Sequence, residues 1–180
     1  MKAVLCKEFG PPETLVVEDI AAPEPGPGQV VLDVHAAAVN FPDTLIIENK
    51  YQFKPPLPFS PGGEVAGVVS KLGEGASIYK IGDRVIGSCG HGGFVEKLAI
   101  LETSCIPVPD AMDLETASAL VLTYGTSYYA LKDRAYIKPS ENLLVMGAAG
   151  GVGLAAVELG KALGARVIAA ASSQDKLDVC

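Results

Sequence analysis

The 180-residue sequence predicts two architectures in succession: a β-rich, partly open barrel, then the start of a parallel α/β sheet. Three observations carry that expectation. Short apolar segments broken by Gly- and Pro-containing turns fill the chain up to Pro109. Beyond Pro109 the apolar stretches lengthen and take on helical propensity. Last, NLLVM (142–146), GAAGGVG, LAAVELGKAL and ARVIAAA follow one another as strand, glycine-rich turn, helix and strand.

Taken in order, Val30, Leu32 and Val34 alternate with Val31, Asp33 and His35, the period of a half-buried strand. Asn40 can cap a short helix over NFPDTLII, with Pro42 in its first turn. EVAGVVS (64–70), Asp83–Gly87 and Phe94–Ile100 read as further short strands. Many short strands and one small helix favour an open barrel over a parallel sheet. Asp113 can cap a helix through LETASALVL, and Thr126 a second through SYYALKD. NLLVM is uninterrupted by polar residues, as expected of a strand covered on both faces. The expected division is residues 1–124 and 125–180.

Composition removes several functional classes. The chain carries 14 Lys and Arg against 21 Asp and Glu, a net charge of −7, which argues against nucleic-acid or anionic-membrane partners. The start has no long apolar stretch of a secretory signal, and no apolar run reaches the roughly 18–20 residues of a membrane helix. A cytoplasmic protein is expected. Cys6, Cys89, Cys105 and Cys180 show no paired spacing and read as reduced, structural thiols.

The glycine turn carries the chemistry. Gly147 permits a tight exit from the strand, Gly150 and Gly151 let backbone N–H groups approach a pyrophosphate, and Gly153 lets the helix pack closely. Ala149, Gly150, Gly151, Val152 and Gly153 are therefore candidate cofactor-binding residues, at a helix N-terminus whose free amides favour phosphate. At the end of the second strand an NAD site usually offers an acid to the ribose 2′-hydroxyl. Here Ala171, Ser172 and Ser173 occupy that place, and Asp175 is expected to lie too far into the next element. Ser172, Ser173 and Lys176 can instead bind a 2′-phosphate, so NADPH is the expected cofactor. Ser173 as a helix cap and Lys176 as a solvated helix residue are the competing explanations.

VNFPDTLI (39–46), YQFKPPLPFSPGGEVAGVV (51–69), KIGDRVIG (80–87), LTYGTSYYAL (122–131) and the stretch from Val145 to Leu177 together resemble the zinc-free quinone oxidoreductase branch of the medium-chain dehydrogenases/reductases. The resemblance implies a GroES-like catalytic domain followed by a Rossmann domain of which these residues hold only the N-terminal part. It implies hydride transfer from NADPH to a quinone or α,β-unsaturated carbonyl as small-molecule electron acceptor, in a homo-oligomer. The 180 residues alone would be inactive. A non-catalytic scaffold with a vestigial dinucleotide site is the alternative.

In zinc-dependent relatives a Cys and a His stand where this chain has Asn40 and Gly63, so no metal is expected. His91 with Cys89 could supply two ligands but no evident third; His91 reads as a surface-loop residue and His35 as packed or hydrogen-bonded. By resemblance Asn40 faces the nicotinamide and Tyr51 donates a hydrogen bond to the substrate oxygen, these two being the candidate catalytic residues. Tyr51 can also be an ordinary amphipathic surface tyrosine. Thr126 matches a threonine near the nicotinamide ribose, besides its possible role as a cap. Asp43 reads as a hydrogen-bonding residue of the short helix. Leu45 and Glu48-Asn49-Lys50 depart from the family's usual tyrosine and Arg-x-Gly, which alters the substrate pocket.

Overall fold

The computed structural model describes Met1–Cys180. Its elements are β1 (Lys2–Leu5), β2 (Val16–Asp19), β3 (Gln29–Ala37), α1 (Phe41–Ile47), β4 (Glu64–Leu72), β5 (Arg84–Ser88), β6 (Lys97–Leu101), β7 (Cys105–Pro107) and α2 (Leu114–Ser118). A helical run from Val121 to Arg134 follows, with α3 (Thr126–Tyr128) inside it; then come β8 (Asn142–Met146), α4 (Gly151–Ala162), β9 (Arg166–Ala170) and α5 (Gln174–Asp178). The chain divides into two units, Met1–Ala119 and Leu120–Cys180.

In the first unit β6-β3-β4-β5-β7 form an open antiparallel sheet, and β1 and β2 form a separate hairpin tied on by single bridges, Ala3 to Val95 and Cys6 to Phe59. The sheets do not close on themselves. One core gathers Val30, Leu32, Val65, Val69, Val85, Ile100 and Cys105; a second, under α1, gathers Cys6, Ile46, Ile47 and Phe59. The alternation expected of β3 holds only in part, since Val30, Val31 and Leu32 are all buried. Helix α2 lies against β3 and β4, and register shifts at Val31/Leu32 and Val34/Ala36 re-aim the strand. Past the first shift Asp33 and His35 face solvent, so His35 is exposed rather than packed.

Helix α1 ends in a cap the sequence spells out locally. Asn49 takes φ +57°, its N–H donates to the Ile46 carbonyl (3.0 Å), and the Lys50 N–H donates to the Leu45 carbonyl (2.8 Å). This is a Schellman closure with Asn in the left-handed position.

Asp113 caps α2 as expected, accepting the Thr116 N–H at 2.6 Å. Thr126 does not cap a second helix. Its φ −61° and ψ −49° are helical, and it sits inside a run whose flanks, Val121–Gly125 and Tyr129–Arg134, are π-type turns. A cap residue needs extended backbone, which the uninterrupted helical path does not provide there.

The second unit is one βαβ crossover. β8 and β9 pair in parallel, and Leu143, Val145, Val167 and Ala169 pack with Val157 of α4. The expectation that β8 is covered on both faces is not met: Leu144, Met146 and Ile168 are 57%, 76% and 45% exposed. Strand side chains alternate, so a single helix covers a single face. No helix is long and apolar enough to cross a membrane.

Candidate functional site

The candidate residues fall into two groups, one in each unit. In the second unit the turn after β8 has little freedom. Gly147 takes φ +67°, a conformation that disfavours any side chain. A Cβ on Gly153 would meet the Gly147 carbonyl oxygen at 2.3 Å and the Ala148 Cα at 2.9 Å. Gly150 is extended (φ −80°, ψ 162°) and occupies the N-cap of α4, where a Cβ would meet nothing closer than 3.4 Å. The amides of Gly151, Val152 and Gly153 form the first turn of α4, where intrahelical partners are lacking and the dipole favours anions. The turn is braced from the preceding helical run: buried Ser127 donates its hydroxyl to the Val152 carbonyl at 2.7 Å.

Beside this turn lies a cavity of about 790 Å³. It is lined by Met146, Gly147, Ala149 and Gly150 from the end of β8 and the turn, and by Ala170, Ala171, Ser172, Asp175, Lys176 and Val179 from the end of β9 onward. Lys176 donates to the Ser172 hydroxyl at 3.2 Å across one turn of chain. The cavity thus gathers Ala149, Gly150, Ser172 and Lys176. Gly151, Val152 and Gly153 follow into α4 and Ser173 takes the N-cap position of α5, outside the lining, as is Thr126. Asp175 lies within α5, the element after the strand, as expected, and it lines the cavity beside Lys176.

In the first unit Asn40 caps α1 with extended backbone, φ −118° and ψ 157°. The Asp43 carboxylate accepts the Asn40 N–H at 2.8 Å and the Gly62 N–H at 3.2 Å. The Asn40 side-chain amide donates to Glu64 Oε1 at 3.0 Å. Both carboxylates are buried, Asp43 at 4% and Glu64 at 1% exposure. Burial pushes the Asp43 carboxyl above its ordinary range, against backbone donors at Asn40, Gly62 and Gly63. The Cys89 thiol, bonded to the Gly62 carbonyl at 3.3 Å, is pushed up to about 12, chiefly by burial with Asp43 and Glu64 adding to it. Cys89 is therefore a thiol at neutral pH and no nucleophile.

The loop after Cys89 is laid on Ser60–Gly63 by the bonds Cys89 N–H to Gly63 carbonyl (2.9 Å) and Gly92 N–H to Ser60 carbonyl (2.7 Å). It carries His91 against the rings of Phe53 and Phe59, at 5.3 and 6.2 Å between centroids. His91 is thus a packed residue rather than a free surface-loop one. Nowhere do three or more His, Cys, Asp or Glu side chains converge in a metal-ligand arrangement. Tyr51 is half-buried against the Cys6, Ile46, Ile47 and Phe59 cluster, and takes no part in the Asn40 hydrogen bonds. Sequence reasoning missed the pairing of Asn40 with Glu64, which joins positions 24 apart. The Asn40–Asp43 half of the network did have a signal, the three-residue spacing of a capping box.

Comparison with known proteins first sets the class. Residues 26–110 match the alcohol dehydrogenase GroES-like domain. Over nearly its whole length the chain is also similar to quinone oxidoreductases. It is 42% identical over 179 residues to the quinone oxidoreductase-like protein 2 homolog of Nematostella vectensis, covering 98% of this chain and 48% of that protein. Human quinone oxidoreductase is 40% identical over 177 residues, covering 97% of this chain and 54% of its own length. The structure of Escherichia coli quinone oxidoreductase complexed with NADPH matches at a TM-score of 0.95 and 34% identity, covering 99% of this chain and 55% of that one. The chain thus carries a GroES-like stretch and is similar to quinone oxidoreductases over nearly its whole length, and it spans about half the length of the curated relatives it matches.

Proposed function

We propose that this chain provides the catalytic barrel and the first part of the cofactor site of a zinc-independent oxidoreductase, which passes hydride from NADPH to a quinone or an α,β-unsaturated carbonyl. The observation that carries the reading is the cavity beside the glycine turn, whose lining brings the Lys176–Ser172 pair together with Ala149 and Gly150. Its residues fit a dinucleotide. The turn offers backbone instead of side chains, leaving room at Gly150; apolar Met146, Ala170 and Val179 suit an adenosine; and Lys176 is a cation.

In this reading the amides of Gly151, Val152 and Gly153 hold the pyrophosphate and Ser172, Ser173 and Lys176 hold the 2′-phosphate, while Thr126 serves the nicotinamide ribose. When bound, NADPH supplies the hydride. Asn40 orients the cofactor or the acceptor, and Tyr51 donates a hydrogen bond to the acceptor oxygen, where negative charge develops.

Asp175, which lines the same cavity as Lys176, supports a second reading in which NADH is accepted. Steady-state kinetics on the full-length protein separate the two. The unmodified protein is expected to prefer NADPH, and Lys176→Glu to move the preference toward NADH by about 1–3 kcal/mol, the scale of a charge-assisted hydrogen bond. Equal efficiency with both cofactors before mutation overturns the NADPH assignment.

A further inference from the structure

We infer that Glu64 is a positioning residue: it fixes which way round the Asn40 carboxamide is held. The inference rests on the reading of Asn40 given above. The group that Asn40 turns toward Glu64 Oε1, 3.0 Å away, is its NH₂, the donor end of the carboxamide. The amide is planar, so fixing its nitrogen also fixes the direction of its carbonyl oxygen. That oxygen lies on the side of the first turn of α1, where the capping box turns it toward the Asp43 N–H, and its remaining lone pair is an acceptor suited to an N–H donor such as the carboxamide of a nicotinamide.

The surroundings make this orientation stiff. The Asn40 backbone is clamped by the Asp43 carboxylate at 2.8 Å, and the same carboxylate holds Gly62, two residues before Glu64. Glu64 opens β4, where it pairs with Ser88 of β5, so its own backbone belongs to the central sheet. Glu64 is 1% exposed, so water has little access to its end of the hydrogen bond, while Asn40 is half-buried. Both ends of the hydrogen bond are therefore anchored to elements rather than to loops.

Glu64→Gln is the discriminating change, because it keeps the volume and can either donate or accept. With Gln in place, both orientations of Asn40 become compatible with a hydrogen bond. Glu64→Asp, which keeps the charge but withdraws it by one methylene, is the second variant should Gln disturb folding.

The first readout needs no turnover: NMR of the Asn40 side-chain amide in this chain, labelled with ¹⁵N. The unmodified chain is expected to show one Asn40 Nδ2 proton shifted and slowly exchanging with solvent, and the Glu64 variants to lose that protection. An Asn40 amide that exchanges equally fast in the unmodified chain and in Glu64→Gln overturns the inference. The second readout is a double-mutant cycle on the full-length protein with NADPH and a quinone. Asn40→Ala and Glu64→Gln are each expected to lower kcat roughly tenfold or more, the scale of a misplaced group, and the double variant to be no worse than Asn40→Ala. Additive losses overturn the inference, since a structural role for Glu64 would act without Asn40. A protected amide together with an Asn40→Ala protein of unchanged kcat instead sinks the catalytic reading of Asn40 and leaves the orientation by Glu64 standing.

Discussion

The two units hold their candidate residues in opposite ways. In Met1–Ala119 the polar residues are buried and satisfied by the protein itself: Asp43 by backbone amides and Glu64 by Asn40, all behind a sheet whose central valines are 0–1% exposed. In Leu120–Cys180 the candidate residues line an open cavity, and the sheet has an apolar face that these residues leave uncovered. The first unit therefore spends its hydrogen bonds internally and arrives organised. The second leaves helix amides and a lysine for a ligand to engage. Substitutions in the first should register in stability and geometry together, whereas many in the second should register in binding alone.

The largest expected effect tests the packing side of that contrast. Leu32 is fully buried in the first core, while Leu144 is 57% exposed on the uncovered face of β8. Leu32→Ala should cost about 3–4 kcal/mol, from lost transfer energy plus the cavity left behind. Leu144→Ala should fall within about 0.5 kcal/mol of the unmodified chain. Denaturant unfolding of the two variants checks this, and equal losses would mean that the face bearing Leu144 is covered in solution.

A smaller effect is expected within the glycine turn. Gly153→Ala forces a methyl to 2.3 Å from the Gly147 carbonyl oxygen, and should destabilise the second unit by about 1–3 kcal/mol. Gly150→Ala has room, since its Cβ would come no nearer than 3.4 Å to protein, so its stability should change by less than about 0.5 kcal/mol. What Gly150→Ala should lose is NADPH affinity, because its methyl projects where a phosphate must approach backbone. Thermal unfolding and calorimetric titration with NADPH, run on the full-length protein, read the two effects apart. A Gly150→Ala protein that binds NADPH normally would break the assignment of this turn as the cradle.

Much of this arrangement was legible in the sequence where the information is local. The βαβ unit could be read from NLLVM, GAAGGVG and ARVIAAA because strand, turn and helix signals lie within thirty or so residues, and β8, α4 and β9 fall on those segments. The caps at Asn40 and Asp113 are equally local. What stayed hidden depended on partners distant in sequence or on a continuous path. Asn40 meets Glu64 only because the chain returns to set the start of β4 beside the N-cap of α1, and His91 meets Phe53 only because the loop after β5 is laid along Ser60–Gly63. Thr126 carries the residue type of a cap, yet the run from Val121 to Arg134 passes through it without interruption.

The smallest effect is a pH dependence that should belong to the first unit alone. Burial raises the Asp43 pKa above the unfolded value of about 3.9, despite the backbone donors that pull it back. The folded state therefore binds this proton more tightly than the unfolded chain does. Asp43 contributes its full stabilisation below the unfolded pKa, and that contribution is lost as pH rises through the folded one. The difference in stability between the unmodified chain and Asp43→Asn should accordingly shift against the unmodified chain between about pH 4 and the raised pKa, then level off. Asp33 provides the opposite sign on the same sheet. Its pKa is lowered, first by its hydrogen bond with Lys97 and next by Ser70, so its contribution is lost as pH falls; being largely exposed, it contributes little. Amide hydrogen exchange, corrected for intrinsic rates and followed at Val65 and Val69 against Val145 and Ala155, resolves the two units separately. The Asp43→Asn difference should appear at the first pair and be absent at the second. A parallel shift at all four amides would show that the two units unfold as one, and that the contrast drawn between them does not extend to their stability.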